Sequence, residues 1–276
     1  MLRAHRAQSY HREECLTVRP RRNLPERISH RGAHQTLPEN SIAAFERAIE
    51  LGAEGIELDV HATSDGVVVV HHDPVVHARH PQRPAHRAIV ELSAAELEQF
   101  PLADGTRIPT LSETLAAIGS RVIVYVEIKA PNIEALVTRC IRESETTCAV
   151  HSFDHRIVKI VKNIFPAIRT GVLEVSRHID PVASLASASA EDLWQEVDSI
   201  DEEIVAKAHS VGARVVAWTA NEAAQWETLH ALGVDAICTD RIAELGIRLV
   251  SALIYGDQFV IFGGTPFTCV HFFVLS

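Results

Sequence analysis

The chain has no long apolar run, no excess of positive charge and no cysteine pairing pattern. Each absence removes a class of protein. Its cysteines are Cys15, Cys140, Cys148, Cys238 and Cys269, an odd number with no pair at metal-knuckle spacing. A disulfide scaffold or structural zinc site is therefore not expected, and reduced thiols suit a cytoplasmic protein. No stretch is long and apolar enough to predict a transmembrane segment. The Arg- and His-rich N-terminal segment lacks the apolar core of a secretory signal. With a net charge of −10, nucleic acid is not the expected partner. Nothing in the sequence sets an oligomeric state.

What is present is concentrated between His30 and Pro74. Two histidines, His30 and His72, bracket this stretch, beside Arg31 and Asp73. Between them Glu57 and Asp59 sit two apart in an apolar run, so on a strand both face the same side. Ordinary salt-bridged strand acids are the alternative, but acids in apolar strands are rare without a partner. A hard divalent cation would relieve their repulsion. Two proton carriers, a cationic side chain and two oxygen ligands suit metal-assisted attack on a phosphate ester.

Apolar periodicity predicts alternating elements. Strands are expected near Arg27–Ser29, Gly55–Val60, Val67–Val70, Val122–Ile128, Cys148–Ser152, Arg169–Leu173, Asp192–Val197, Arg214–Trp218 and Asp235–Cys238. Helices are expected at Ser41–Leu51, Ser93–Phe100, Ile133–Arg142, His155–Phe165, Glu202–Val211 and Glu222–Leu232. Asn40 is the expected cap of the first helix and Thr110 of a later one. Residues His77–Ala88 read as an irregular excursion, and Asp180–Ala190 has little pattern. Roughly eight strands alternating with helices predict an α/β fold, the (β/α)8 TIM barrel, with a short insertion after the second strand region. Residues 1–24 read as a polar extension, 25–247 as the catalytic barrel and 248–276 as an apolar extension.

The stretch resembles the glycerophosphodiester phosphodiesterase family. The matching residues are His30-Arg31-Gly32, Pro38 to Phe45, Gly52 to Val60, Thr63-Ser64-Asp65-Gly66 and His72-Asp73. Further along, Ile108 to Leu111, Ala217 to Asn221 and Gly233 to Asp240 look like later motifs of the same family. The resemblance implies metal-dependent hydrolysis of a small-molecule glycerophosphodiester, within lipid and glycerol metabolism, to sn-glycerol 3-phosphate and an alcohol through a cyclic phosphate. It implies His30 and His72 as the acid/base pair. Glu57, Asp59 and Glu127 would hold one divalent cation, Mg2+ or Ca2+, with Mn2+ also suited. Arg31 and Lys129 would hold the substrate phosphate. Glu39 and Trp218 are candidates for the pocket or its support.

Several neighbours are expected to stand apart. His71 should point away from His72 on an extended strand. His34 and His61 carry no motif role, and Glu54 reads as an exposed helix-end acid. Departures from the family pattern are Ser29, Ser64, His151-Ser152-Phe153 and the continuation Pro74 to Ala78. They bear on the leaving group rather than on the core chemistry. A lysophospholipase D on the same barrel, or a non-catalytic phosphate-binding barrel, are the competing readings.

Overall fold

Runs of β-branched residues interrupted by single acids build the staves of a barrel. The computed structural model describes residues 24–77 and 86–246. Apart from Leu24, the expected N-terminal extension lies outside the described residues, as does the expected C-terminal extension.

In chain order, β1 (Glu26–His30), α1 (Ile42–Glu50) and β2 (Gly55–Ala62) open the fold. The short β3 (Val68–Val70), β4 (Val75–His77) and β5 (His86–Ala88) follow, then α2 (Ala94–Leu97) and α3 (Leu111–Ile118). The remaining staves alternate with helices: β6 (Ile123–Ile128), α4 (Glu134–Arg142), β7 (Cys148–Ser152), α5 (His155–Ile164) and β8 (Arg169–Glu174). Then come α6 (Pro181–Ala188), β9 (Asp192–Glu196), α7 (Glu202–Ser210), β10 (Arg214–Trp218), α8 (Ala223–Leu232) and β11 (Ala236–Thr239).

The staves run β1-β11-β10-β9-β8-β7-β6-β2 in parallel, and β1 pairs with β2 to close the ring. This is the expected (β/α)8 barrel. β3 turns back antiparallel on the end of β2, with Val60 opposite Val70. Of the excursion expected to be irregular, residues 78–85 lie outside the described residues; its two ends belong to β4 and β5, which pair antiparallel with Val76 facing Arg87. Next to this strand pair lies a small apolar cluster that includes Val69, Val76, Ile89 and Phe100.

Two local expectations need correction. Ser41, not Asn40, caps α1: its backbone is extended and its hydroxyl accepts from the Ala44 N–H. Asn40 takes a left-handed φ of 55°, which sends its side chain toward β2 instead. The segment with little pattern contains α6, started by Asp180 as cap and Pro181 in the first turn.

Two apolar layers hold the barrel. Outside, Leu58, Val126 and Val150 meet Phe45, Leu115 and Val137 of the helices. Each such fully buried side chain contributes about 1.5–3 kcal/mol. Inside, Ile28, Tyr125, Leu173, Trp194, Val216 and Cys238 fill the axis. Gly171 makes room for Trp194, since a Cβ there would stand 2.7 Å from its Cδ1. The N-terminal end is tied across by Glu26, which accepts from Tyr125 Oη at 2.8 Å and pairs with Arg214.

Candidate active site

The C-terminal ends of the staves gather most of the singled-out residues around one cavity of about 220 Å³. His30, Arg31, Glu57, His72, Glu127, Lys129 and Trp218 all line it. His30 ends β1, and the chain leaves it through a tight turn. Arg31 adopts a left-handed φ of 53° and Gly32 one of 82°. A Cβ on Gly32 would lie 2.8 Å from the Ala44 carbonyl carbon, so the turn needs glycine. The Arg31 N–H then donates to the Glu57 carboxylate at 3.2 Å.

Glu57 and Asp59 project from β2, and Glu127 from the neighbouring β6, where it is in register with Asp59. All three are buried. Burial, with Asp59 and Glu127 nearby, pushes the Glu57 carboxyl well above its ordinary value. Burial and the Asp59 charge lift Glu127 to about 7. Burial alone would raise Asp59 too, but Arg31 and Lys129 outweigh it and the carboxyl ends below its usual range. Lys129 Nζ lies 2.9 Å from Glu127 and 3.3 Å from Asp59. Asn40 Nδ2 donates to Asp59 Oδ2 at 2.8 Å. Glu57 Oε1 and Asp59 Oδ1 are buried without an aligned hydrogen-bond donor. Two such oxygens in one acidic cluster are the chemistry a hard cation satisfies.

The two histidines share one device. His30 Nδ1 is 2.7 Å from Asp240 Oδ1, and His72 Nδ1 is 2.8 Å from Asp73 Oδ1. In each, an Nδ1–H donated to the carboxylate leaves Nε2 as the nitrogen that can take or give a proton. On the His30 ring Nε2 lies on the side of Glu57, 3.8 Å from Oε2. Arg31 is braced by Glu39 at 3.2 Å and by Asp59, which makes Glu39 a support for the loop rather than a wall of the cavity. Trp218 packs edge-on against Phe153, with ring centroids 5.4 Å apart. His71 is outside the cavity and contacts the Asp73 carbonyl.

Five residues carry more than their sequence context indicated. His34, set aside above, brings Nε2 to 2.9 Å from Asp240 Oδ1, so one oxygen serves two imidazoles. Asn221 fixes Asp240 from behind, donating Nδ2 to Oδ2 at 2.6 Å. Asp240 and Asn221 fell within the late family-like motifs, a signal without a stated role. His151 lines the cavity floor, and Glu57, Glu127 and His151 offer ligand atoms within 4.8 Å of one another. His61 is likewise less peripheral than expected: its Nε2 is 3.0 Å from the His72 carbonyl and steadies that turn.

Paired imidazoles and clustered carboxylates thus meet at the C-terminal mouth of a (β/α)8 barrel, the end at which this fold carries its active sites. The model of the glycerophosphoryl diester phosphodiesterase family matches residues 30–244. A glycerophosphodiester phosphodiesterase of Caldanaerobacter subterraneus subsp. tengcongensis is 33% identical over 228 residues, which are 77% of this chain and 93% of that protein. The enzyme of the same name from Bacillus altitudinis is 28% identical over 77% of this chain and 93% of its own length. Among solved structures, a Parabacteroides distasonis glycerophosphodiester phosphodiesterase superposes with a TM-score of 0.75, at 24% identity, covering 84% of this chain and 99% of that one. An Oleispira antarctica phosphodiesterase in complex with the product sn-glycerol-3-phosphate superposes with a TM-score of 0.74, at 23% identity, covering 82% and 97%. The chain belongs to the glycerophosphoryl diester phosphodiesterase family.

Proposed function

We propose that this protein hydrolyses glycerophosphodiesters to sn-glycerol 3-phosphate and an alcohol, through a cyclic phosphate and with one divalent cation bound. One observation carries the reading. His30 and His72, each held through Nδ1 by a carboxylate, line the same cavity as Glu57, Glu127 and Lys129.

Glu57, Glu127 and His151, whose ligand atoms lie within 4.8 Å of one another, would hold the cation. Asp59, which does not line the cavity and is engaged by Arg31, Lys129 and Asn40, is the third carboxylate beside them. Their oxygens suit Mg2+, Ca2+ or Mn2+. When bound, the cation supplies Lewis-acid polarisation of a phosphate oxygen. His30 accepts the proton of the glycerol 2-hydroxyl on Nε2, and Asp240 stabilises the imidazolium that results. The hydroxyl oxygen attacks phosphorus while His72, protonated, gives its proton to the departing alcohol. Water then opens the ring with the proton roles reversed. Arg31 and Lys129 offset the charge gathering on the phosphate oxygens.

A panel of glycerophosphodiesters, offered to chelated enzyme with each of the three cations, tests the reading through release of sn-glycerol 3-phosphate. No release from any member with any cation would overturn it. A 2-deoxy analogue tests the cyclic route separately. It should bind but fail to turn over, because its internal nucleophile is missing. Near-normal turnover would exclude the cyclic phosphate.

A second reading, a lysophospholipase D, has one observation in its favour. Phe153 is 45% exposed at the cavity, and Val175 and Ile179 stand 59% and 97% exposed after β8. Faster release of alcohol from lysophospholipids than from glycerophosphocholine in the same panel would favour it.

A further inference from the structure

We propose that His30, His34 and Asp240 form a second cation site, apart from the carboxylate cluster, that takes a borderline transition-metal dication such as Zn2+ and stops turnover when filled. The effect on turnover rests on the reading of His30 as the base; the binding does not.

The donor set is the first argument. Two imidazole nitrogens and one carboxylate oxygen lie within 4.8 Å of one another. His30 Nδ1 and His34 Nε2 approach the same Asp240 Oδ1, at 2.7 and 2.9 Å. An ion replacing the shared protons would meet all three donors after small shifts, since ligand distances are about 2.0–2.2 Å. Nitrogen-rich sets favour Zn2+, Co2+, Ni2+ and Cu2+, whereas oxygen sets favour Mg2+, Ca2+ and Mn2+. The two centres therefore select different ions.

Support and access are the second argument. Asn221 grips the far oxygen of Asp240 at 2.6 Å and accepts from its backbone N–H at 2.9 Å. Such outer contacts hold a ligand in place for a metal. The side chains of His30, His34 and Asp240 are 19%, 24% and 28% exposed, so an ion can reach them and water can complete its coordination. The Glu57 and Asp59 side chains, by contrast, are 3% and 0% exposed.

The consequence for chemistry follows from proton placement. When the His30 ring is neutral, its contact with Asp240 places the single proton on Nδ1, donated to the carboxylate. An ion bound to Nδ1 takes that lone pair, and the ring proton moves to Nε2. Nε2 then has no lone pair for the substrate hydroxyl. When both rings are neutral, His34 shifts its own proton from Nε2 to Nδ1 in the same event, so no net proton is gained or lost.

Two measurements on the full chain test this. Co2+ added to chelated protein should give visible ligand-field bands in the wild type and in Glu127→Gln, and these should be lost in His34→Ala and in the gentler His34→Gln. Zn2+ titrated into Mg2+-loaded enzyme should inhibit the wild type, and the half-inhibiting concentration should rise at least about tenfold in either His34 variant, each read against its own Zn2+-free rate. Bands lost in Glu127→Gln but kept in both His34 variants would overturn the proposal, as would equal Zn2+ sensitivity in wild type and variants. A protein that binds Co2+ through His34 yet cleaves no glycerophosphodiester would sink the catalytic reading while leaving the site standing.

Discussion

His151 Nε2 stands 3.8 Å from Glu57 Oε1, with both side chains buried and the imidazole stacked on Trp194 at a centroid distance of 4.2 Å. Burial pushes the His151 imidazole down to about 3, so it is neutral and offers a lone pair at physiological pH. A buried acid facing a neutral imidazole, without a direct hydrogen bond, is an arrangement that a shared cation completes.

Cation removal should therefore cost both activity and stability. Chelation should abolish turnover, and Mg2+, Ca2+ or Mn2+ should restore it. At 100 times its dissociation constant the ion should add about 2.7 kcal/mol to stability. Thermal melts with and without chelator check this. Full activity in excess chelator, with no metal by elemental analysis, would refute it.

The acid/base pair gives a second expectation. His30→Ala and His72→Ala should each lower kcat on the order of 10²- to 10⁴-fold while circular dichroism stays native. His71→Ala should change it little, because that ring lies outside the cavity. A larger loss at His71 than at His72 would reverse the assignment.

Asp240→Asn should mimic much of the His30 loss. The amide can still bond Nδ1, but it neither stabilises the imidazolium nor fixes the tautomer. The fall should appear in kcat with KM nearly unchanged, because Asp240 does not line the cavity. Steady-state kinetics on one substrate decide it; a change confined to KM would count against the role.

At the foot of β9, burial lifts Asp192 to about 6, and neither carboxylate oxygen has a hydrogen-bond partner. The folded state thus binds a proton more tightly than the unfolded chain. The stability it contributes is full below pH about 4 and is lost as pH rises through about 6. Asp192→Asn removes that dependence. Relative to wild type, the variant should gain on the order of 2–3 kcal/mol between pH 4 and pH 7. Urea unfolding at the two pH values measures the difference, and a constant offset would contradict the assignment.

Gly171→Ala tests the packing beneath the site. Its Cβ would meet Trp194 at 2.7 Å and displace the ring on which His151 rests. A destabilisation of about 1–3 kcal/mol is expected. Denaturant melts followed by tryptophan fluorescence report it.

Much of this architecture was legible in the residues. Apolar runs such as Val122–Ile128 marked the staves, and the Glu57-x-Asp59 spacing placed two acids on one face. What stayed hidden was of three physical kinds. Asp240 meets His30 and His34 across 210 and 206 residues, a contact made only when the ring closes. α6 is built from small Ala and Ser side chains, which give weak periodicity, and its Asp180 cap and Pro181 carry the start signal instead. Asn40 and Ser41 are both good capping types, and the choice fell to backbone angle: φ 55° at one, −110° at the other.

The tie of Glu26 to Tyr125 and Arg214, beneath the layer of Ile28, Trp194 and Val216, makes the barrel a blind cup. Among the described residues, Phe153 and Trp218 meet in the lining of the cavity and mark its doorway. If turnover takes the proposed two-stage route, this imposes a queue. The alcohol must clear the doorway before a water molecule can take its place in line with the ring. A bulky leaving group would then set the pace of the second stage as well as the first, and substrates differing only in their alcohol should differ in how long the cyclic phosphate survives.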